Sequence, residues 1–211
     1  NNKQDKKYST EPSGSQSKEM SIITQKLPKT VNIGGKEYPI KTDFRDWIQF
    51  ENILSDPKES EQEKIKCLLL LYSTLPPKFI DAWKSVMWFY SGAEHAGDSE
   101  NTADQKQKSR SRIYHYEYDA DYIYSAFWAQ YGIDLQCANL HWWQFKALFK
   151  GLDETNMIVK IMGYRSMDLS QIKDKEQKRF YRKMKRLYRL PDMRTEQQRE
   201  QDMVNSLSSV F

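Results

Sequence analysis

Three histidines and two cysteines are the side chains of this sequence best suited to metal binding or nucleophilic catalysis. The histidines, His95, His115 and His141, are scattered along the chain, and Cys67 and Cys137 form no C-x-x-C pair. A protein metal site needs several such ligands close together, usually at short and recurring spacings. The sequence therefore predicts no metal site, and because it lacks a motif such as G-x-S-x-G it identifies no nucleophile.

Two short motifs resemble reactive sites but have simpler interpretations. Asp119 and Asp121 form a D-x-D sequence, yet residues two apart on a helix point to different sides and do not easily share a metal. We interpret them as acids at a helix N-terminus, where the helix dipole favours negative charge. The Gly-Gly-Lys segment at 34–36 is not followed directly by a helix, so it predicts a hairpin turn and not a phosphate-binding loop.

His141, which precedes two tryptophans, is the most tempting catalytic candidate by residue type. The other interpretation is a half-buried, hydrogen-bonded histidine at the start of a helix, and the lack of partner residues favours it. We therefore predict a protein that acts by binding, is not an enzyme and uses no cofactor.

A basic segment near the C-terminus dominates the charge pattern. Residues 173–190 contain nine Lys or Arg and two acids, a net +7, so with a total of +4 the rest of the chain sums to −3. Such a segment indicates an acidic partner, either protein or nucleic acid, or else a solvated helix face. Because Phe180, Met184 and Leu187 recur at helical spacing, we assign them to a buried helix face and not to base stacking, which makes nucleic acid the less favoured partner.

The elements that position these residues are mainly α-helical. Segment 30–41 predicts a small hairpin, because Val31 and Ile33 alternate with polar residues before two glycines. From Thr42 onward, apolar residues recur three and four apart, which predicts about six to seven helices. Five of the helices are expected at 61–74, 78–91, 119–131, 138–150 and 173–189. A further helix is expected to end at 54, and another to begin at 153.

The length predicts one domain with polar additions. We expect a disordered N-terminal segment 1–29, a hairpin with three helices over 30–91, a flexible polar loop 92–112, a C-terminal helical half 113–190 of the same domain, and a polar tail 191–211. No apolar run approaches the length of a membrane-spanning helix, and no signal peptide is recognised. Both cysteines are expected to be buried free thiols of a reducing compartment, so we predict a cytoplasmic protein.

Five segments of the sequence resemble a known family. They are DFRDWIQFENIL from Asp43, WFY from Trp88, YDADYIYSAFWAQYGIDLQCANLHWWQFKALFKGL from Tyr118, KIMGYRSMDLS from Lys160, and the basic helix that follows. This order of rare residues over about 31–190 is similar to that of the phage gene product fifteen family, from tailed phages of Gram-positive bacteria. The resemblance implies a phage-encoded protein of the host cytoplasm without catalytic residues.

The resemblance also implies a role in tail assembly, because the genes of this family lie in the tail module near the gene for the tape measure protein. It implies a chaperone that binds the tape measure protein, with the tail tube protein and an upstream tail assembly protein, fused or in complex, as further partners. Met20 is then a candidate translation start, and residues 1–19 would be either an addition to the natural protein or read through from an upstream frame. Two alternatives stay open: a nucleic-acid-binding protein that uses helix 173–189, and a structural tail component of the virion.

The chaperone hypothesis assigns partner contacts to two sets of residues. The aromatic side chains around the predicted helix 138–150 exceed what one helix face can bury, so we expect some of them to be exposed. These are Tyr131, Trp142, Phe145 and Phe149. The basic helix would bind acidic parts of the client or of the tail tube protein. Its expected contacts are Lys178, Arg179, Arg182, Lys183 and Arg186.

Overall fold

The computed structural model describes residues 22–92, 112–198 and 200 of the chain. The predicted disordered segment, polar loop and polar tail therefore lie wholly or partly outside the described residues. Residues 22–29 of the predicted disordered segment are described. There, Leu27 packs against the core, and the Pro28 carbonyl lies 2.9 Å from His141 Nε2. In the described parts of the chain, no helix combines the length and the apolar character needed to cross a membrane.

The fold is mainly α with a small N-terminal hairpin, as the sequence predicts. A short helical segment at 196–198 follows the named elements. Those elements, in chain order, are β1 Thr30–Ile33, β2 Lys36–Pro39, α1 Phe44–Ser55, α2 Glu61–Leu69, α3 Phe79–Ser91, α4 Ala120–Tyr131, α5 Trp142–Lys150, α6 Met157–Ser166 and α7 Lys175–Leu187.

The hairpin depends on the two glycines at its turn. Gly34 and Gly35 have φ angles of 59° and 82°, and a type I′ turn requires positive φ at both central positions, which glycine adopts at little cost. β1 pairs antiparallel with β2, with Val31 opposite Tyr38. Both of these side chains are buried. A two-stranded hairpin is marginal alone, and this one is stabilised because its apolar side joins the helical core.

Three helices have other boundaries than the pattern predicts. α6 begins at Met157 and not at 153, since residues 153–156 form a turn that ends at its N-cap, Asn156. In the other two, pairing between distant segments replaces a helix end. α2 ends at Leu69 and not at 74, since the chain turns there and Tyr72 forms a bridge with Ile40. α5 begins at Trp142 and not at 138, since the chain before it runs beside Thr42, whose carbonyl accepts a hydrogen bond from the Trp142 N–H (2.7 Å). Local periodicity carries no information about these contacts.

One continuous core joins the described residues before and after the polar segment 92–112. Trp47 of α1 is fully buried and stacks on Phe89 of α3, with ring centroids 4.8 Å apart, and on Trp142 of α5, at 6.2 Å. Phe145 of α5 stacks in turn on Phe127 of α4, at 5.1 Å. α5 is therefore covered by α1 and α3 on one side and by α4 on another.

Candidate functional site

His141 caps the N-terminus of α5, which confirms its interpretation as a helix-start residue. Its Nδ1 accepts a hydrogen bond from the Trp143 N–H (3.1 Å), and its backbone N–H donates to Oε1 of Gln144 (3.1 Å), so the helix begins with a capping box. Because Nδ1 accepts, the proton lies on Nε2, which donates to the Pro28 carbonyl (2.9 Å). Burial lowers the pKa of His141, which favours the neutral ring that this capping role needs.

The D-x-D sequence contains a buried ion pair that sequence reasoning missed. Asp119 is 1% exposed, and its carboxylate accepts hydrogen bonds from both terminal nitrogens of Arg165, at 2.6 and 2.9 Å, and from the His115 N–H (2.9 Å). The same guanidinium donates to the carbonyls of Ile113 (3.0 Å) and Tyr188 (2.6 Å). Both aspartates lie at the N-terminus of α4 as predicted, Asp119 at the N-cap and Asp121 in the first turn, but the Asp119 side chain makes no capping hydrogen bond and pairs with Arg165.

The cysteines form no reactive arrangement. Cys67 is half-buried and Cys137 is exposed, so the prediction of two buried thiols is wrong for Cys137, which lies between α4 and α5 and not within a helix. Burial raises the pKa of the Cys67 thiol, which lowers its thiolate fraction and its reactivity. Within residues 22–92, 112–198 and 200, no three His, Cys, Asp or Glu side chains are grouped so as to hold a metal ion.

The aromatic residues expected to include exposed partner contacts lie mainly in the core. Trp142 and Phe145 are 1% and 0% exposed, so the expectation of exposure is wrong for both. The reason is that α5 packs against neighbours on two sides and needs two apolar faces. Tyr131 and Phe149 are half-buried, and the Tyr131 hydroxyl donates to the Leu148 carbonyl (2.9 Å).

The double tryptophan of α5 stabilises the end of α3. The indole N–H groups of Trp142 and Trp143 donate to the carbonyls of Tyr90 (2.9 Å) and Phe89 (2.7 Å). Lys146 Nζ donates to the Tyr90 carbonyl as well (3.1 Å). The last carbonyls of a helix lack partners within it, and a positive charge there is favoured by the helix dipole. These residue types are therefore explained by packing and capping.

The turn after α2 carries an exposed apolar groove. It has a volume of about 480 Å³, and its lining includes Ile65, Leu70 and Leu75, which are 41%, 60% and 58% exposed. We call this surface the α2 groove. The signal that sequence reasoning missed is the run of four leucines at 68–71. Consecutive residues on a helix point in different directions, and only the first and last of the four are buried.

α7 packs through a stripe of side chains that coincides only in part with the predicted face. Within α7 no residue is buried, and Phe180 and Leu187, which we assigned to a buried face, are 48% and 64% exposed. Of the predicted face, Met184 is half-buried and the Phe180 ring lies 6.2 Å from that of Tyr164 on α6. The helix also packs through the half-buried Tyr181 and Tyr188, whose rings lie 6.2 and 5.9 Å from the same Tyr164 ring. Phe180 and Leu187 are seven residues apart, and so are Tyr181 and Tyr188. The helical period alone therefore does not show which pair is covered.

Arginines of α7 and of the chain after it line a second groove, with a volume of about 920 Å³. Arg182, Arg186 and Arg189 lie on its wall together with Arg112 and Tyr118. We call this surface the arginine groove. It brings together two of the five basic residues predicted as partner contacts. The other three lie on α7 outside its lining: Lys178, Arg179 and Lys183.

The chain matches a known protein family. A family model described as bacteriophage Gp15 protein matches residues 23–190. That range contains both strands and α1–α7. No curated protein and no solved structure matches the chain.

Proposed function

The chain belongs to the bacteriophage Gp15 protein family, and from that membership we propose that it is a phage tail assembly chaperone that binds the tape measure protein. The observation that supports a binding role most directly is the α2 groove, an apolar surface left exposed beside a closed core. In this proposal the protein acts in the host cytoplasm by binding its client and not by catalysis.

The α2 groove suits a helical client with an apolar stripe. A tape measure protein of the kind the family implies is long and helical, and its stripe would aggregate if it were not covered. An apolar groove accepts such a helix through side chains spaced about one turn apart. Ile65, Leu70 and Leu75 offer the apolar contacts, and Gln62 and Lys66 add polar atoms to the lining. Exposed apolar patches with polar rims are typical of interaction sites.

Replacing Leu70 and Leu75 together by serine should release the client. When the phage tape measure protein is co-expressed with the unchanged chain, we expect it to stay soluble and to co-purify. With the Leu70→Ser, Leu75→Ser variant, we expect most of it in the insoluble fraction. Both side chains are more than half exposed, so the variant should fold, which circular dichroism would check.

The matched control is Trp128→Ser, which removes a large apolar side chain that is 54% exposed on α4, outside the α2 groove. This control should retain the client. Equal loss in both variants would refute the groove assignment. Precipitation of the tape measure protein with the unchanged chain would refute the chaperone function for this chain alone, and recovery of the chain from purified virions would favour a structural tail component.

A further inference from the structure

We propose that the arginine groove is a second binding site, which takes an acidic peptide segment of a protein partner. The proposal goes beyond the chaperone function and does not depend on the α2 groove. It rests on the positive charge of the arginine side chains in the groove, on the spacing of these arginines along α7, and on the apolar side chains in the same lining.

The groove contains guanidinium groups that the surrounding residues leave without a counter-charge. Among the described residues, Arg182, Arg186 and Arg189 form no ion pair. Asp192, the acidic residue in the described lining, contacts Arg194 at 2.7 Å. An anionic ligand would therefore meet guanidinium groups that need not first break a pair.

The four other Lys and Arg residues in the described lining have structural partners. Arg112 Nη1 donates to Ser55 Oγ (2.9 Å), and Arg194 pairs with Asp192 (2.7 Å). Arg165 is bound to Asp119, and Lys185 Nζ donates to the Met167 carbonyl (2.6 Å). They hold the walls of the groove in place and are less free to bind a ligand. The cations at 182, 186 and 189 are thus the ligand-binding set.

The spacing of this set suits carboxylates. Arg182 and Arg186 are four apart and Arg189 follows three later, which places them on one side of the helix and its extension. They span roughly 10 Å along the axis. Alternate side chains of an extended peptide lie about 7 Å apart, so two carboxylates on one side of a strand can reach the set. The guanidinium fork pairs with a carboxylate through two hydrogen bonds.

Two observations favour an acidic peptide over nucleic acid. The lining also includes Tyr118, Leu190, Pro191 and Met193, which offer apolar contacts to neighbouring side chains of a peptide. The rest of the chain outside 173–190 has a net charge of −3, which repels a long polyanion that must lie across the surface. A short acidic segment avoids that repulsion.

The test is fluorescence anisotropy of the full chain with a labelled peptide of repeated Asp-Leu-Glu units. The same peptide with Asn-Leu-Gln units and a single-stranded oligonucleotide serve as comparison ligands. We expect the acidic peptide to bind more tightly than either and to weaken as salt is added. Arg182→Gln with Arg186→Gln should weaken its binding by about tenfold or more, since hydrogen bonds between charged groups are lost.

The matched control is Arg179→Gln with Lys183→Gln. It also removes two positive charges from α7, but from residues outside the groove lining. It should change the Kd by less than about twofold. Equal weakening by both variants, or equal binding of the neutral peptide, would overturn the proposal. Tighter binding of the oligonucleotide would assign the groove to nucleic acid instead.

The second variant, Arg182→Glu with Arg186→Glu, should abolish binding of the acidic peptide while unfolding at the same temperature as the unchanged chain. The Leu70→Ser, Leu75→Ser variant should bind the peptide normally, so the two proposals succeed or fail separately. Loss of peptide binding in that variant would show that the sites are not distinct and would overturn the assignment of the groove.

Discussion

Arg165 is the residue on which the joint packing of α4, α6 and α7 depends most directly. Its guanidinium pairs with both oxygens of Asp119 and donates to the carbonyls of Ile113 and Tyr188. The side chains of the pair are 9% and 2% exposed. Removing one partner would leave the other charge buried without compensation, and such a charge is costly.

Arg165→Ala should therefore lower the free energy of unfolding by about 3–5 kcal/mol, as measured by urea denaturation. Arg165→Lys should recover little of it, because an ammonium group cannot reproduce the planar two-bond contact. The matched control is Arg182→Ala, an exposed arginine, which should change the free energy of unfolding by less than about 0.5 kcal/mol. An equal effect of the two alanine variants would contradict the role given to the buried pair.

The elements show how packing partners select the buried face of a helix. α7 and its C-cap Tyr188 contact the body of the protein along one side, at Tyr164 of α6, Tyr122 of α4 and the Met167 carbonyl, so a single stripe of its side chains is partly covered. α5 is enclosed on two sides and buries residues on two faces, among them Trp142 and Phe145. Each helix has more apolar or aromatic residues than one face holds, and the neighbours decide which of them are covered.

Neighbouring residues at the end of α7 allow a direct test of this packing. Leu187→Ser should change the free energy of unfolding by less than about 0.5 kcal/mol, because the side chain is 64% exposed. Tyr188→Ser should cost about 1–2 kcal/mol, because it removes a ring stacked 5.9 Å from that of Tyr164. Thermal denaturation followed by circular dichroism would compare them. A larger loss for the leucine variant would support the buried face predicted from the sequence.

The whole molecule is organised around aromatic contacts between its two halves. Trp47 and Phe89, which precede the polar segment 92–112, contact Trp142 and Trp143, which follow it. Neither half has a complete core without the other. This arrangement predicts that the halves fold together and not separately.

Residues 22–92 and 112–198, produced as separate chains, should each fail to give a cooperative thermal transition. Co-expressed, they should co-purify through a tag on one of them and recover helical circular dichroism. Trp142→Ser in the second chain should prevent this association, because it empties a space in the shared core at a cost of about 3–5 kcal/mol. A cooperative transition in either half alone would show that its core is independent.

The sequence by itself determined the features that depend on local chemistry. The hairpin at 30–41, most of the helices and the capping role of His141 were predicted, because turn conformation, helical period and N-terminal hydrogen bonding involve residues close in sequence. The order of rare residues along the chain was also sufficient for the family, which the match over 23–190 confirms.

Only the tertiary structure decided which side chains are covered and which distant residues meet. It placed Trp142 and Phe145 in the core, left Leu70 and Leu75 exposed, and joined Asp119 to a guanidinium 46 residues away. Of the predicted contacts, it gathered two arginines of α7 into one groove and left the other basic residues outside it. The physical reason is that burial and ion pairing depend on which segments pack together, and a helical period repeats equally for a covered face and for an exposed one.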